Sequence, residues 1–224
     1  MRSGARPEHV ESRGPGMPAR ELVRLRPVDI DDWSDVRYVH AGAFRTFIGP
    51  RIASHHAENF MSALDTPDYS ERLGACDLTG AWVDGQLAGT AGWRPIPDDT
   101  RVARIEGLFV LPLFTFMGLG SLLLAHAEAR ARRAGYVAIT ALATCHAVPF
   151  FLRSGYDVYA QGPGISGLPR DMSGFLMRKQ EPGASKRTHG SAERPWQAPA
   201  VAIPDEAAFA IVTAPRPDGL LVED

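Results

Sequence analysis

Hydrophobic and polar positions change period several times along this chain, and each change marks an element. Glu21–Leu25 alternates weakly and predicts a first strand. Trp33, Val36, His40, Ala43, Phe44 and Phe47 then recur at helical spacing, behind Asp29 and Asp32, which stand as an N-cap and capping box. Gly49-Pro50 breaks that helix, and Ile52, His56, Phe60, Ala63 and Leu64 predict a second. From Leu78 the period is two. Leu78–Val83 and Gln86–Trp93, separated by Asp84-Gly85, predict a hairpin on a type I′ turn. Residues 94–101 read as a polar loop and 102–110 as a buried strand that Pro112 stops. A glycine-bearing loop leads to Leu119, Leu122, Leu123 and His126 on one helical face, ended by Gly135. Tyr136–Ala143 predicts a strand, His146–Ser154 a short helix, and Tyr156–Ala160 and Gly174–Arg178 two final strands.

The flanks lack such periods. Residues 1–20 are rich in Gly, Pro and charge and are expected to be a disordered extension; 181–224 is a Pro-rich tail expected to be mostly disordered, with Ala207–Val212 as a candidate strand. The folded domain is therefore expected over 21–180. Across 224 residues, 45% apolar and 22% charged residues suit a globular domain, and a formal charge of −2 indicates no nucleic-acid or membrane partner. Leu108–Ala125 is long and uncharged, but Pro112, Gly118, Gly120 and Ser121 interrupt it, which argues against a membrane span. The two cysteines, Cys76 and Cys145, lack metal or redox spacing, and His40, His55 and His56 have no acidic or thiolate ligand at matching spacing. No metal is expected. With no apolar leader at the start, a cytoplasmic location is expected.

The chemistry concentrates where strand 102–110 passes through Gly118-Leu119-Gly120-Ser121 into a helix. Such a junction is an anion cradle: glycines admit the ligand, unpaired N–H groups face it, and the helix dipole favours negative charge. Whether it holds a pyrophosphate or only packs as strand, loop and helix is left open by these residues alone.

Four segments in order resemble the GNAT superfamily of acyl-CoA-dependent N-acyltransferases. They are the hairpin Ala81–Gly89, the strand Ile105–Pro112 ending in Val-x-Pro, Gly118–Leu123 as the second half of the pyrophosphate motif, and Ala147–Tyr156 as the late helix A-x-x-[FL]-[YF]-x-x-x-G-[FY]. The resemblance implies an α/β fold: a mixed, mostly antiparallel central sheet, helices on both faces and a splayed acyl-CoA cleft. It further implies acetyl-CoA as cosubstrate. Backbone of Phe109 and Val110 would pair with pantetheine, and Met117, Gly118, Leu119, Gly120 and Ser121 would hold the pyrophosphate. Phe151 stands where the family often has the Tyr that protonates the thiolate, and Thr115 where it has Gln or Arg. Arg153 or the basic turn at Arg130–Arg133 would then assist the phosphates.

For catalysis Glu106 is the expected general base, given the parity of Leu108 and Val110; the alternative is an ion pair with Arg101 or Arg104. His146, Tyr156 and Cys145 are candidate substitutes for the missing Tyr hydroxyl, with water as the alternative. The implied activity is transfer of acetyl from acetyl-CoA to a primary amine, on a small molecule or a protein. The alternative is a catalytically weak acyl-CoA-binding sensor or interaction module. A homodimer is left open, and the aromatic loop 113–117 could line an acceptor channel, pack against a second subunit or lie under the C-terminal tail.

Overall fold

The computed structural model describes residues 22–96, 99–162, 174–180 and 221–223. Among these residues eight strands form one sheet: β1 Leu22–Pro27, β2 Asp77–Val83, β3 Gln86–Ile96, β4 Asp99–Val110, β5 Ala138–Ala143, β6 Asp157–Gly162, β7 Gly174–Gln180 and β8 Leu221–Glu223. Their order is β6-β7-β5-β4-β3-β2-β1-β8. The β4–β5 and β1–β8 pairs are parallel, and the others are antiparallel. The sheet is therefore mixed and mostly antiparallel.

Three helices, α1 Trp33–Phe47, α2 Ser54–Leu64 and α3 Pro67–Gly74, lie on one face; α4 Leu119–Arg133 lies on the other, and α5 Val148–Arg153 leads into β6. The start of α1 is fixed locally. Asp29 accepts from Asp31 N–H at 3.0 Å, and Asp32 accepts from Asp29 N–H at 3.0 Å. Arg26 of β1 then donates twice to the Asp32 carboxylate, at 2.7 Å each. Asp84 (φ 50°) and Gly85 (φ 81°) confirm the type I′ turn between β2 and β3. At Gly89 an added Cβ would lie 2.8 Å from the Phe109 carbonyl and 3.0 Å from Leu123, so glycine is what lets α4 approach the sheet.

Several expectations change. α3 was not anticipated. The polar stretch 94–101 is not an open loop, because β3 runs on to Ile96 and β4 begins at Asp99. In the tail, Leu221–Glu223 forms β8 on the free edge of β1, whereas Ala207–Val212 and residues 1–20 lie outside the described residues. The uncharged run Leu108–Ala125 divides between β4, a turn and α4. Among the described residues no helix is long and apolar enough to cross a membrane.

One irregularity controls the site. Thr90 pairs with Phe109 and Gly92 with Glu106, so Ala91 opposes both Gly107 and Leu108 in a β-bulge. Gly107 has φ 63°, which a residue without Cβ adopts freely. The extra residue shifts the alternation. Glu106 shares the α1 face with Phe109, not the α4 face with Leu108 and Val110 as strict alternation predicts.

Candidate functional site

The β4–β5 ladder runs from Val102↔Ala138 to Ile105↔Ala141 and stops there, although β4 continues to Val110. From Glu106 onward the strands part, leaving an unpaired edge on β4. Leu111 N–H donates to Ala88 O at 2.8 Å, so alternate residues fix which groups face β3. Val110 and Leu108 turn their N–H groups toward the parted side, whereas the backbone of Phe109 faces β3. This corrects the expectation for Phe109, and it adds Leu108, which plain alternation could have revealed.

The parted edge leads to the start of α4. A 3-10 turn, Pro112–Phe114, buries Phe114 and exposes Leu113. The Thr115 hydroxyl closes that turn on Pro112 O at 2.7 Å, so it is not directed to a ligand. The first bond into the helix is Leu122 N–H to Gly118 O, 3.0 Å; the N–H groups of Leu119, Gly120 and Ser121 precede the ladder. Gly118 is left-handed (φ 81°), and a Cβ built there meets nothing within 4 Å. The space before the helix N-terminus is therefore open, and a side chain would project into it. At Gly120 a Cβ would touch Phe150 at 3.6 Å. Met117 and Gly120 are half-buried, Leu119 is buried, and Ser121 is exposed on the first turn.

Behind the bulge lies a buried polar chain. His40 of α1 is fully buried, with Nδ1 2.7 Å from the Tyr69 hydroxyl and Nε2 2.8 Å from Thr90 Oγ1. Thr90 donates to the Gly107 carbonyl at 2.6 Å, so its oxygen accepts from His40 Nε2–H, and Nδ1 accepts from Tyr69. The imidazole stacks on Phe109 at 4.2 Å. Burial, with a smaller contribution from Arg72, pushes its pKa down to about 3. The ring is neutral at any working pH.

Glu106 is half-buried and accepts from Arg94 Nε at 3.1 Å and Nη2 at 3.0 Å, not from Arg101 or Arg104. Nearby, burial and the Glu106 charge push the Cys76 thiol up to about 11. His146 opens the α5 approach, its Nδ1 3.2 Å from the exposed Cys145 thiol. Burial and then the Arg51 charge lower its pKa, so the imidazole is neutral at pH 7.

Tyr156 is elsewhere. Its ring is buried edge-on to Phe151 at 5.1 Å, and Lys179 lies 5.5 Å above it. Burial, reinforced by Glu128, raises the pKa of the phenol, which keeps it protonated. Its phenol therefore sits in the Glu128–Lys179 cluster on the C-terminal half of α4, not at the open first turn. Phe151 is likewise packed into the core, against Phe150 and Tyr156. Arg153 is exposed on the last turn of α5. The basic turn is engaged at the far end of α4: Arg130 donates to Asp77 at 2.7 and 2.9 Å, and Arg132 to Glu128 at 3.2 Å.

Residues 46–156, from the end of α1 to the start of β6, match the acetyltransferase (GNAT) family. The chain belongs to the GNAT superfamily. Solved structures of other members share its fold. A GCN5-related N-acetyltransferase from Rhodopseudomonas palustris aligns at TM-score 0.63 and 21% identity, over 74% of this chain and 100% of its own. The PaiA N-acetyltransferase from Thermoplasma acidophilum, in complex with coenzyme A, aligns at 0.58 and 16%, over 71% and 99%. The yncA acetyltransferase from Salmonella typhimurium, with acetyl-CoA, aligns at 0.50 and 18%, over 74% and 99%. At these identities the likeness concerns fold alone. No curated protein matches this GNAT chain in sequence.

The residues present fit a CoA group. Open space before α4, three N–H groups ahead of its ladder and an unpaired strand edge are the donors a pyrophosphate and pantetheine amides require.

Proposed function

We propose that this protein transfers an acetyl group from acetyl-CoA to a primary amine by direct attack. The observation that carries the reading is the unpaired edge of β4 leading straight to the open, left-handed Gly118 at the start of α4. A strand-like pantetheine would lie along Leu108 and Val110, and the pyrophosphate before Leu119–Ser121. Acetyl-CoA supplies an activated carbonyl and a thiolate leaving group. The amine nitrogen bonds to that carbonyl carbon, the carbon–sulfur bond breaks, and the amine proton is removed.

Glu106 is the residue for that proton, reached directly or through one water. Its Arg94 hydrogen bonds keep the carboxylate oriented, and the bulge places it on the α1 side of the strand, away from α4. His146, neutral at pH 7, suits a hydrogen-bonding role at the cleft mouth better than that of acid to the departing sulfur. With Phe151 apolar and the Tyr156 phenol buried beside Glu128, water protonates the thiolate.

That missing acid favours one second reading, an acyl-CoA-binding sensor with weak turnover. Calorimetry with acetyl-CoA and thiol release across a panel of amines separate the two. Acetyl-CoA is expected to bind, and Gly118→Val to abolish binding by filling the open space and straining the left-handed backbone. Glu106→Gln is expected to lower turnover by roughly 10²-fold at pH 7, with the loss shrinking at pH 9, where free amine is abundant. Binding without thiol release from any amine supports the sensor. No binding removes both readings.

A further inference from the structure

The buried chain Tyr69–His40–Thr90 has no place in the chemistry described so far, yet it ends on the bulge. Each link has a defined direction. Tyr69 O–H donates to His40 Nδ1, His40 Nε2–H to Thr90 Oγ1, and Thr90 O–H to the Gly107 carbonyl, at 2.7, 2.8 and 2.6 Å. A carbonyl has no proton to pass on, so the chain does not shuttle protons. Its effect is on the peptide it holds. In a trans peptide the N–H points opposite to the C=O. With the Gly107 oxygen held toward Thr90 on β3, the Leu108 N–H is directed toward the edge that β5 leaves unpaired. Gly107 at φ 63° has more backbone freedom than any other residue type, so this peptide is where an external constraint matters most.

We propose that Thr90 and His40 are positioning residues, whose hydrogen bonds fix the Gly107–Leu108 peptide so that the Leu108 N–H meets the developing charge on the thioester oxygen. This rests on the acetyl-transfer reading. The arrangement suits that task. A donor aimed in advance needs no reorganisation as charge develops. His40 is locked between two hydrogen bonds and the Phe109 ring, and its neutrality leaves the Nε2–H donor in place across the working pH range. Tyr69, at the far end, fixes the tautomer.

The test is isotope-edited infrared spectroscopy of carbonyl-labelled acetyl-CoA bound to the full chain, with steady-state kinetics alongside. Wild type is expected to lower the carbonyl stretch relative to free acetyl-CoA. Thr90→Val, nearly isosteric, is expected to return it toward the free value while the Kd for acetyl-CoA stays within about threefold. Its kcat should fall roughly 10- to 100-fold with little change in KM, the size expected for a misplaced donor. Thr90→Ser should restore both, and the shape of the pH–rate profile should not change, because the base is untouched. If Thr90→Val does not fold, His40→Phe replaces it, since the ring stack is kept and the chain is cut one link back. A carbonyl stretch equal to wild type in the folded variant overturns the proposal and leaves acetyl transfer standing. Absence of acetyl-CoA binding by wild type overturns both.

Discussion

His40 is a titratable ring placed where its charged form has no solvent. Its pKa is pushed down to about 3, by burial first and Arg72 second, from an ordinary 6.5. The unfolded chain therefore takes up a proton between those values while the folded chain does not. Stability is at its plateau above pH 6.5 and falls as pH drops toward 3. The urea midpoint is expected to decline steadily from pH 7 to 4.5, and His40→Phe to flatten most of that slope. Part of the slope should remain from His146, which is shifted the same way. Asp32 acts lower, because Arg26 holds its carboxyl below the ordinary 3.8. An undiminished slope in His40→Phe would refute the assignment. At this scale the sequence showed residue types but not their facing. His40 stood out for its place on an apolar helical face, whereas Thr90 looked like any strand threonine. Glu106 was legible as a carboxylate near the chemistry, but the Gly107 bulge turned it to the other face. A lone glycine in a strand gives no sign of whether it is a bulge or merely a small residue.

Among the elements, α4 is clamped at one end and open at the other. Its C-terminal half is tied to the sheet by side chains: Arg130 to Asp77, which also accepts from Trp93 Nε1 at 2.9 Å, and Glu128 to Lys179 at 2.9 and 3.1 Å. The first turn keeps its donors for a ligand. Glu128 is 4% exposed, so its charge depends on Lys179 and Arg132 for compensation. Those two cations are only partly buried and keep some water after the carboxylate is lost. Glu128→Gln is therefore expected to cost about 1–3 kcal/mol, below the usual range for breaking a fully buried pair. Urea denaturation at pH 7 checks this, and a loss under about 0.5 kcal/mol would mean that the cluster is solvated. Most elements were legible because period, caps and turn residues agreed: Asp29 with Asp32, Asp84-Gly85, and Gly135 and Gly155 after their helices. α3 was missed because its eight residues bury only Tyr69 and Leu73, too few to set a period. The extensions of β3 and β4 past Trp93 were missed because their polar residues carry no alternation; backbone pairing holds them.

For the molecule as a whole, order along the chain made the architecture legible, since hairpin, central strand, cradle and late helix occur in sequence. Pairings across long separations were not, and β8 on β1 is the plainest case. The early end of the β4–β5 ladder also has a mechanical meaning. Strands β8, β1, β2, β3 and β4 form one leaf of the sheet and β5, β7 and β6 another. Among the described residues the only strand pairing between the leaves is the seam of Val102–Ile105 against Ala138–Ala141. A ligand bonded to the open edge of β4 lengthens that seam and resists the parting of the leaves. On adding acetyl-CoA, amide hydrogen exchange should therefore slow most at the seam and along β4 beyond it. The hairpin of β2 and β3 should change little. Uniform slowing throughout would indicate only global stabilisation. If the leaves do separate there, the site is also the weakest line of the fold, and its substrate is the fastener.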